Sequence, residues 1–179
     1  MVYESEQLEN MALLQVAAQM CAAARTAPKA MGVDNIVTKV LTGPEKDALA
    51  AKLEEIDKRE FGEKAGGWFG RDANNARTAQ AVVLIGVKCA YRGVPHCAFC
   101  GFENCAVCKS AGGRCAMAFM DLGIALSSAV AVAAQAHVDN RIMLSLGKAA
   151  MEMHYTDQMV LWHAIPLSIS GKNTFFDRK

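Results

Sequence analysis

Apolar and polar positions change rhythm several times along the chain, and each change marks an element. From Ser5 to Arg25, Leu8, Met11, Ala12, Gln15 and Ala18 recur at i, i+3, i+4 spacing, which predicts a helix capped by Ser5 and ended by Pro28. Asn35 to Leu41 (NIVTKVL) is rich in β-branched residues and predicts a strand. Thr42-Gly43-Pro44-Glu45 then matches a capping box with proline at the first helical position. The helix it opens runs to about Phe61, with Leu49, Leu53 and Ile56 inward and Lys52, Glu55 and Lys58 in water. Gly62 to Gly70 (GEKAGGWFG) is a glycine-rich loop carrying Trp68 and Phe69, and it lacks the G-x-x-x-x-G-K-[ST] pattern of a phosphate loop.

Arg71 to Ala79 predicts a short helix. Ala81 to Val87 (AVVLIGV) is a continuous apolar run of strand length, the pattern of a strand covered on both faces. After a cysteine-rich stretch, a long helix of small residues runs from about Ala116 to His137 and belongs at the centre of the molecule. Asp139 or Asn140 caps a further helix, Arg141 to Met153, with Ile142, Met143, Leu146, Ala149 and Ala150 on its apolar face. Met159 to Ile165 (MVLWHAI) is the last predicted strand, stopped by Pro166, and a polar tail follows from Ser168 to Lys179. Helices and strands interleave without a regular β-α-β repeat. The expectation is one layered α+β domain over residues 1–179, with a small mixed sheet and a long central helix.

Composition narrows the function. The 179 residues are 53% hydrophobic and 21% charged, with a formal net charge of +1. That is too apolar for a disordered chain and too neutral for the basic face of a nucleic-acid binder. The most apolar stretch, Leu122 to Ala134, has 13 residues against the ~20 that span a bilayer. The N-terminus has neither the basic nor the apolar part of a signal peptide. These features predict a cytoplasmic protein with no membrane and no nucleic-acid partner.

Seven cysteines then change the picture, because Cys97, Cys100, Cys105, Cys108 and Cys115 fall within nineteen residues. In a reducing compartment such crowding points to metal before disulfides. The spacing C-x2-C-x4-C-x2-C-x6-C allows a tetrahedral Zn²⁺ ion or a [4Fe–4S] cluster with one thiolate per iron. The gap of four between the two C-x2-C pairs crowds a zinc ribbon, whose knuckles stand ~15 residues apart, and suits the larger cluster. Cys100, Cys105 and Cys108 echo the plant-type C-x4-C-x2-C run. The stretch also resembles the four-cysteine [4Fe–4S] motif of the corrinoid iron–sulfur protein. That likeness implies Cys97, Cys100, Cys105 and Cys115 as ligands, with Cys108 spare or alternative. Cys21 and Cys89, in apolar contexts, read as buried core thiols.

Further stretches carry a wider likeness: AARTAPKAMGVDN, RDANNARTAQAVVLIGVK, MDLGIALSSAV, VDNRIM and IPLSISGKNTFFDR. With the cysteine run, they resemble a bacterial and archaeal family of uncharacterised proteins with a ferredoxin domain. A second resemblance is to the FMN-dependent nitroreductases. It rests on Ala22 to Gly43, on the strand Ala81 to Val87, on the helix opening at Asp121 to Ala125, and on the ending IPLSISGK. It implies a nitroreductase-like α+β fold, a homodimer with FMN at the subunit interface, and a cysteine-rich metal-binding insertion at about residues 89–115. The first twenty residues hold no Lys or Arg. The flavin contacts it implies are therefore Arg25, Lys29, Asn35, Lys172 and Arg178. Arg25 and Lys29 also suit a second role, as cations at the negative end of a helix.

His137, His154 and His163 share no ligand spacing and read as structural residues in apolar surroundings, while His96 adjoins Cys97. Trp68 and Phe69 serve either to cover a cofactor edge or to anchor their loop. Two functions are open at this point. One is an iron–sulfur oxidoreductase passing electrons between a cluster and a flavin, a redox partner or a small-molecule acceptor. The other is a non-enzymatic carrier, sensor or interaction module built on iron–sulfur or zinc.

Overall fold

The computed structural model describes residues 1–176. Its frame is a four-stranded sheet in the order β1-β2-β4-β3, where β1 is Ile36–Leu41, β2 Ala81–Lys88, β3 Asp139–Asn140 and β4 Val160–Ser168. Helix α1 (Ser5–Thr26) and helix α5 (Ala116–Gln135) cover one face. Helices α2 (Gly43–Phe61), α3 (Trp68–Thr78) and α6 (Leu144–Glu152) cover the other, and a short helix α4 (Cys105–Ser110) lies in the cysteine stretch.

Strand β2 explains why its sequence is apolar throughout. Ala81, Val83, Ile85 and Val87 enter the core beneath α1 and α5, while Val82 and Leu84 enter the core beneath α2, α3 and α6. Successive side chains alternate across the pleat, so a central strand with helices on both faces has no polar side. Each pairing between the strands is antiparallel, where the sequence predicts a mixed sheet. Apolar runs report coverage of both faces and not strand direction, and here helices sandwich an antiparallel sheet. Gly86 admits the next strand: a β-carbon there would stand 2.6 Å from the Trp162 ring.

Other elements shift relative to the expectation. Trp68 begins α3 and does not sit in a loop, and Phe69 is buried with its ring edge-on to Phe61 at 5.2 Å. That contact anchors the start of α3. Asp139 and Asn140 pair with Ser168 and Leu167 as β3, so α6 starts later, at Leu144. Strand β4 runs through Pro166 to Ser168. The largest difference is on α1, where Leu13, Val16, Ala17, Met20 and Ala24 are buried while Leu8 and Met11 are exposed.

Helix α5 is long and apolar enough to cross a membrane by length and composition, as the 13-residue stretch alone is not. Its Ala118, Leu122, Ala125, Leu126, Ala129 and Ala133 pack into the core with α1 and the sheet. Phe119, Met120 and Ile124 on the same helix are exposed.

Candidate metal centre

Residues 89–115 join the end of β2 to the start of α5. Cys97, Cys100, Cys105, Cys108 and Cys115 line a cavity of about 320 Å³ within and beside this stretch. Local chemistry sets each position. The Asn104 side chain caps α4 by accepting from the Ala106 and Val107 amides, both at 3.0 Å. The cap starts a six-residue helix in a stretch to which the sequence assigns no helix or strand. Cys105 and Cys108, three residues apart on that helix, therefore share a face.

Cys115 is the N-cap of α5, which sets it where the helix begins. Gly101 takes a left-handed φ of 79° and donates its amide to the Ala98 carbonyl at 2.9 Å. Around Cys97 the chain is bent hard: His96 and Ala98 both have positive φ, at 54° and 46°.

The turn before α5 is fastened from two sides. Gly113 donates to the Cys108 carbonyl at 2.8 Å, and the Tyr91 hydroxyl donates to the Gly113 carbonyl at 2.8 Å. Cys108 is thereby fully buried. Burial pushes its thiol up, contact with Cys100 pushes it further, and the nearby Cys115 and Cys105 add to this. Cys108, Cys100, Cys105 and Cys115 thus form one interacting group. Such a group is costly to ionise without a cation and well suited to receive one. Among the described residues, no three Cys, His, Asp or Glu side chains converge as they would on a single ion. The thiols instead stand around the wall of the cavity.

One further residue of the wall, Arg92, escaped the sequence reading. Arg92 lines the cavity and pairs with Asp121 of α5 in a buried ion pair. The lone carboxylate in the otherwise apolar helix from Ala116 to Gln135 was the available signal, since a buried carboxylate needs a cation.

The expected flavin contacts do not come together within one chain. Arg25 donates to Asp34 at 2.5 Å and to the Ile36 carbonyl at 2.7 Å. Lys29 donates to the Ala24 carbonyl at 3.1 Å and to that of Arg25, closing the end of α1. Lys29 thus serves the helix end, while Arg25 ties the last turn of α1 to Asp34 and to the start of β1. The Asn35 carbonyl accepts from the Lys88 amide at 2.9 Å, so all three residues stand at the Lys88–Val160 end of the sheet. Lys172 follows β4 at the other end of the sheet, beyond a strand of nine residues about 26 Å long. Arg178 lies outside the described residues.

Cys21 and Cys89 are half-buried, and burial raises both thiols. Cys21 packs against the core, and Cys89 lies in a small crevice beside Arg114 and Cys115. His137 and His154 are exposed, contrary to expectation, because each follows a helix with a left-handed φ, 56° and 49°. His163, on β4, is partly buried, and its Nδ1 has no partner.

Known proteins resemble this chain in sequence and in fold. A family model described as "Uncharacterized protein containing a ferredoxin domain (DUF2148)" matches residues 111–178. A protein of Archaeoglobus fulgidus, described as uncharacterized, is 39% identical over 186 residues, covering 99% of this chain and 98% of its own. Among solved structures, a nitroreductase-like family protein from Bacillus cereus superposes with a TM-score of 0.60 at 10% identity, over 88% of this chain and 75% of that one. A nitroreductase with bound FMN from Desulfitobacterium hafniense gives 0.57 at 15% identity, over 96% and 81%. The FMN-dependent nitroreductase NfnB from Mycobacterium smegmatis, in complex with NADPH, gives 0.58 at 11% identity, over 90% and 80%. The fold is therefore nitroreductase-like, and the chain belongs to the family of uncharacterized proteins that contain a ferredoxin domain.

Proposed function

We propose that the protein is an iron–sulfur redox protein whose cysteine stretch, inserted into a nitroreductase-like frame, holds a [4Fe–4S] cluster. The observation that carries this reading is the set of five thiols around one cavity of about 320 Å³. Thiolates spread around a cavity suit a cluster with one sulfur ligand per iron better than a single zinc ion, whose ligands must crowd within ~2.3 Å of the metal. Cys100, Cys105 and Cys115 belong both to the motif and to the interacting group around Cys108. We assign the fourth ligand to Cys108, on its burial and its contact with Cys100, which leaves Cys97 as the fifth thiol.

When bound, such a cluster takes up and gives back single electrons. The residues of this chain hold and shield it. Asn104, Tyr91 and Gly113 fix the backbone that presents the sulfurs, while Val94, Pro95, Phe102 and Met117 line the cavity with apolar surface and limit water. A flavin is the electron partner we propose for it, in a homodimer. Arg25, Lys29 and Asn35 stand at one end of the sheet and Lys172 follows β4 at the other, an arrangement that a second chain would bring to one flavin. Exposed Leu8, Met11 and Leu14 on α1 and Phe119, Met120 and Ile124 on α5 offer apolar surface for that contact.

The test is purification without oxygen, followed by a visible spectrum with iron, sulfide, zinc and flavin analysis on one sample. Iron and sulfide with FMN support the flavoprotein reading, and iron and sulfide alone support an electron carrier or sensor. Zinc alone overturns the redox reading. Among alanine variants, Cys108→Ala is expected to lose iron and Cys97→Ala to keep it; the reverse pattern returns the fourth position to Cys97.

A further inference from the structure

Arg92 is a buried cation with a donor left over. Only 1% of its side chain is exposed, and 3% of the Asp121 side chain. Nε and Nη2 both donate to one Asp121 oxygen, at 3.0 and 2.7 Å. The other Asp121 oxygen accepts the Ala30 amide at 2.8 Å, which ties the pair to the turn after α1. Asp121 itself is in the second turn of α5, so the guanidinium is fixed from two elements. Nη1 is buried and has no partner.

A guanidinium is built to donate through every nitrogen, and leaving a buried charged donor unpaired costs more than an ordinary lost hydrogen bond. Such an atom is tolerated where something completes its bonding. Arg92 lines the cavity together with the five cysteines. Sulfur atoms in an anionic cluster are acceptors of the kind Nη1 lacks.

We infer that Arg92, through Nη1, is a positioning residue that donates to the sulfurs of the cluster in the cysteine cavity and raises its reduction potential. The inference rests on the iron–sulfur reading above. Reduction adds one electron to a group already negative from its thiolates. A charged donor at a sulfur stabilises the reduced form more than the oxidised form, and hydrogen bonds to sulfur are among the factors that set such potentials. Asp121 balances the charge of Arg92 but leaves the donor in place.

The test compares the wild type with Arg92→Met/Asp121→Asn and with Asp121→Asn alone. All are prepared without oxygen, assayed for iron and sulfide, and titrated for midpoint potential by electron paramagnetic resonance. The double variant removes donor and carboxylate charge together, so no buried charge is left unpaired, and asparagine keeps an acceptor for Ala30. It is expected to carry the wild-type amount of iron and sulfide and to titrate at lower potential. Asp121→Asn alone leaves the guanidinium uncompensated and is expected to titrate higher. If the double variant does not fold, Arg92→Leu/Asp121→Asn removes the same donor and carboxylate charge with an apolar side chain of different shape, and it is expected to titrate lower as well. Full loading with an unmoved potential in the donor-lacking variant overturns the role of Arg92 alone. A wild-type protein that takes up no iron and sulfide overturns the cluster reading and this inference together.

Discussion

Gly113 lies so close to Cys108 that a β-carbon on it would stand 2.8 Å from the cysteine sulfur and 2.7 Å from the Phe102 ring. The Cys108 carbonyl is 3.1 Å from the same point, so backbone as well as side chain would have to give. Gly113→Ala is therefore expected to push the turn before α5 away from Cys108. Overpacking of this kind costs about 1–3 kcal/mol. Here it falls on the cysteine stretch and not on the two cores beside the sheet. The expected outcome is a protein that unfolds near the wild-type temperature but holds less than half the iron per chain. Gly112, with nothing within 4 Å of its would-be β-carbon but a φ of 69°, is the contrasting site. Substitution there strains the backbone without touching a sulfur, so Gly112→Asn is expected to keep its iron.

The Arg92–Asp121 pair makes a prediction for stability that does not depend on any metal. Asp121→Ala leaves a guanidinium buried without its counter-charge and frees the Ala30 amide as well. Removing one partner of a buried pair costs about 3–5 kcal/mol. Urea unfolding of the metal-free protein should show a loss of that size. A change within 1 kcal/mol of zero, on the order of an exposed pair, would mean that Arg92 finds water in solution.

What the sequence made legible follows from how locally each feature is determined. Strand β2 was readable because a long apolar run of strand length needs cover on both faces, and helix α5 because its small apolar residues mark a helix that packs against the core. The fold class followed from the order of such elements. The inward face of α1 was misread because the helix carries two apolar stripes. Leu8 and Met11 keep helical spacing with Ala12, yet Leu13, Val16, Ala17 and Met20 are the residues that meet α5 and the sheet. Which stripe is buried depends on what the helix packs against, and no local rule contains that.

The candidate site divides in the same way. Five cysteines in nineteen residues mark the stretch as a candidate metal site through composition alone. The role of Cys108 depends on a hydrogen-bonded cap at Asn104 and a turn fastened by Tyr91, which act through the fold of the stretch. Arg92 was invisible because its meaning comes from Asp121, twenty-nine residues away in sequence.

The second apolar stripe of α1 bears on assembly. Leu8 and Met11 are 51% and 59% exposed, and Phe119 on α5 is 46% exposed. Patches of large apolar side chains in water mark association surfaces. If they join two chains, Leu8→Glu with Phe119→Glu is expected to turn a dimer into a monomer in sedimentation while leaving helix content unchanged. A wild-type protein that sediments as a monomer across micromolar concentrations removes the shared flavin site from consideration.

His163 gives the fold a dependence on pH. It lies on β4, burial lowers its tendency to take up a proton, and its Nδ1 has no partner. In the unfolded chain a histidine titrates near ~6.5. Between that value and the lower one of the folded state, the unfolded chain binds the extra proton and the folded chain does not. Stability then rises with pH through the window and is lost as the solution is made more acid. Above the window both states are neutral and the contribution is constant. Urea midpoints taken from pH 7.5 down to 5 should fall in the wild type, with the onset near neutral and ahead of the carboxylates. His163→Gln, which keeps a polar side chain of similar reach and cannot charge, is expected to flatten that part of the profile. An equal slope in both proteins would show that His163 reaches water and titrates as it does in the unfolded chain.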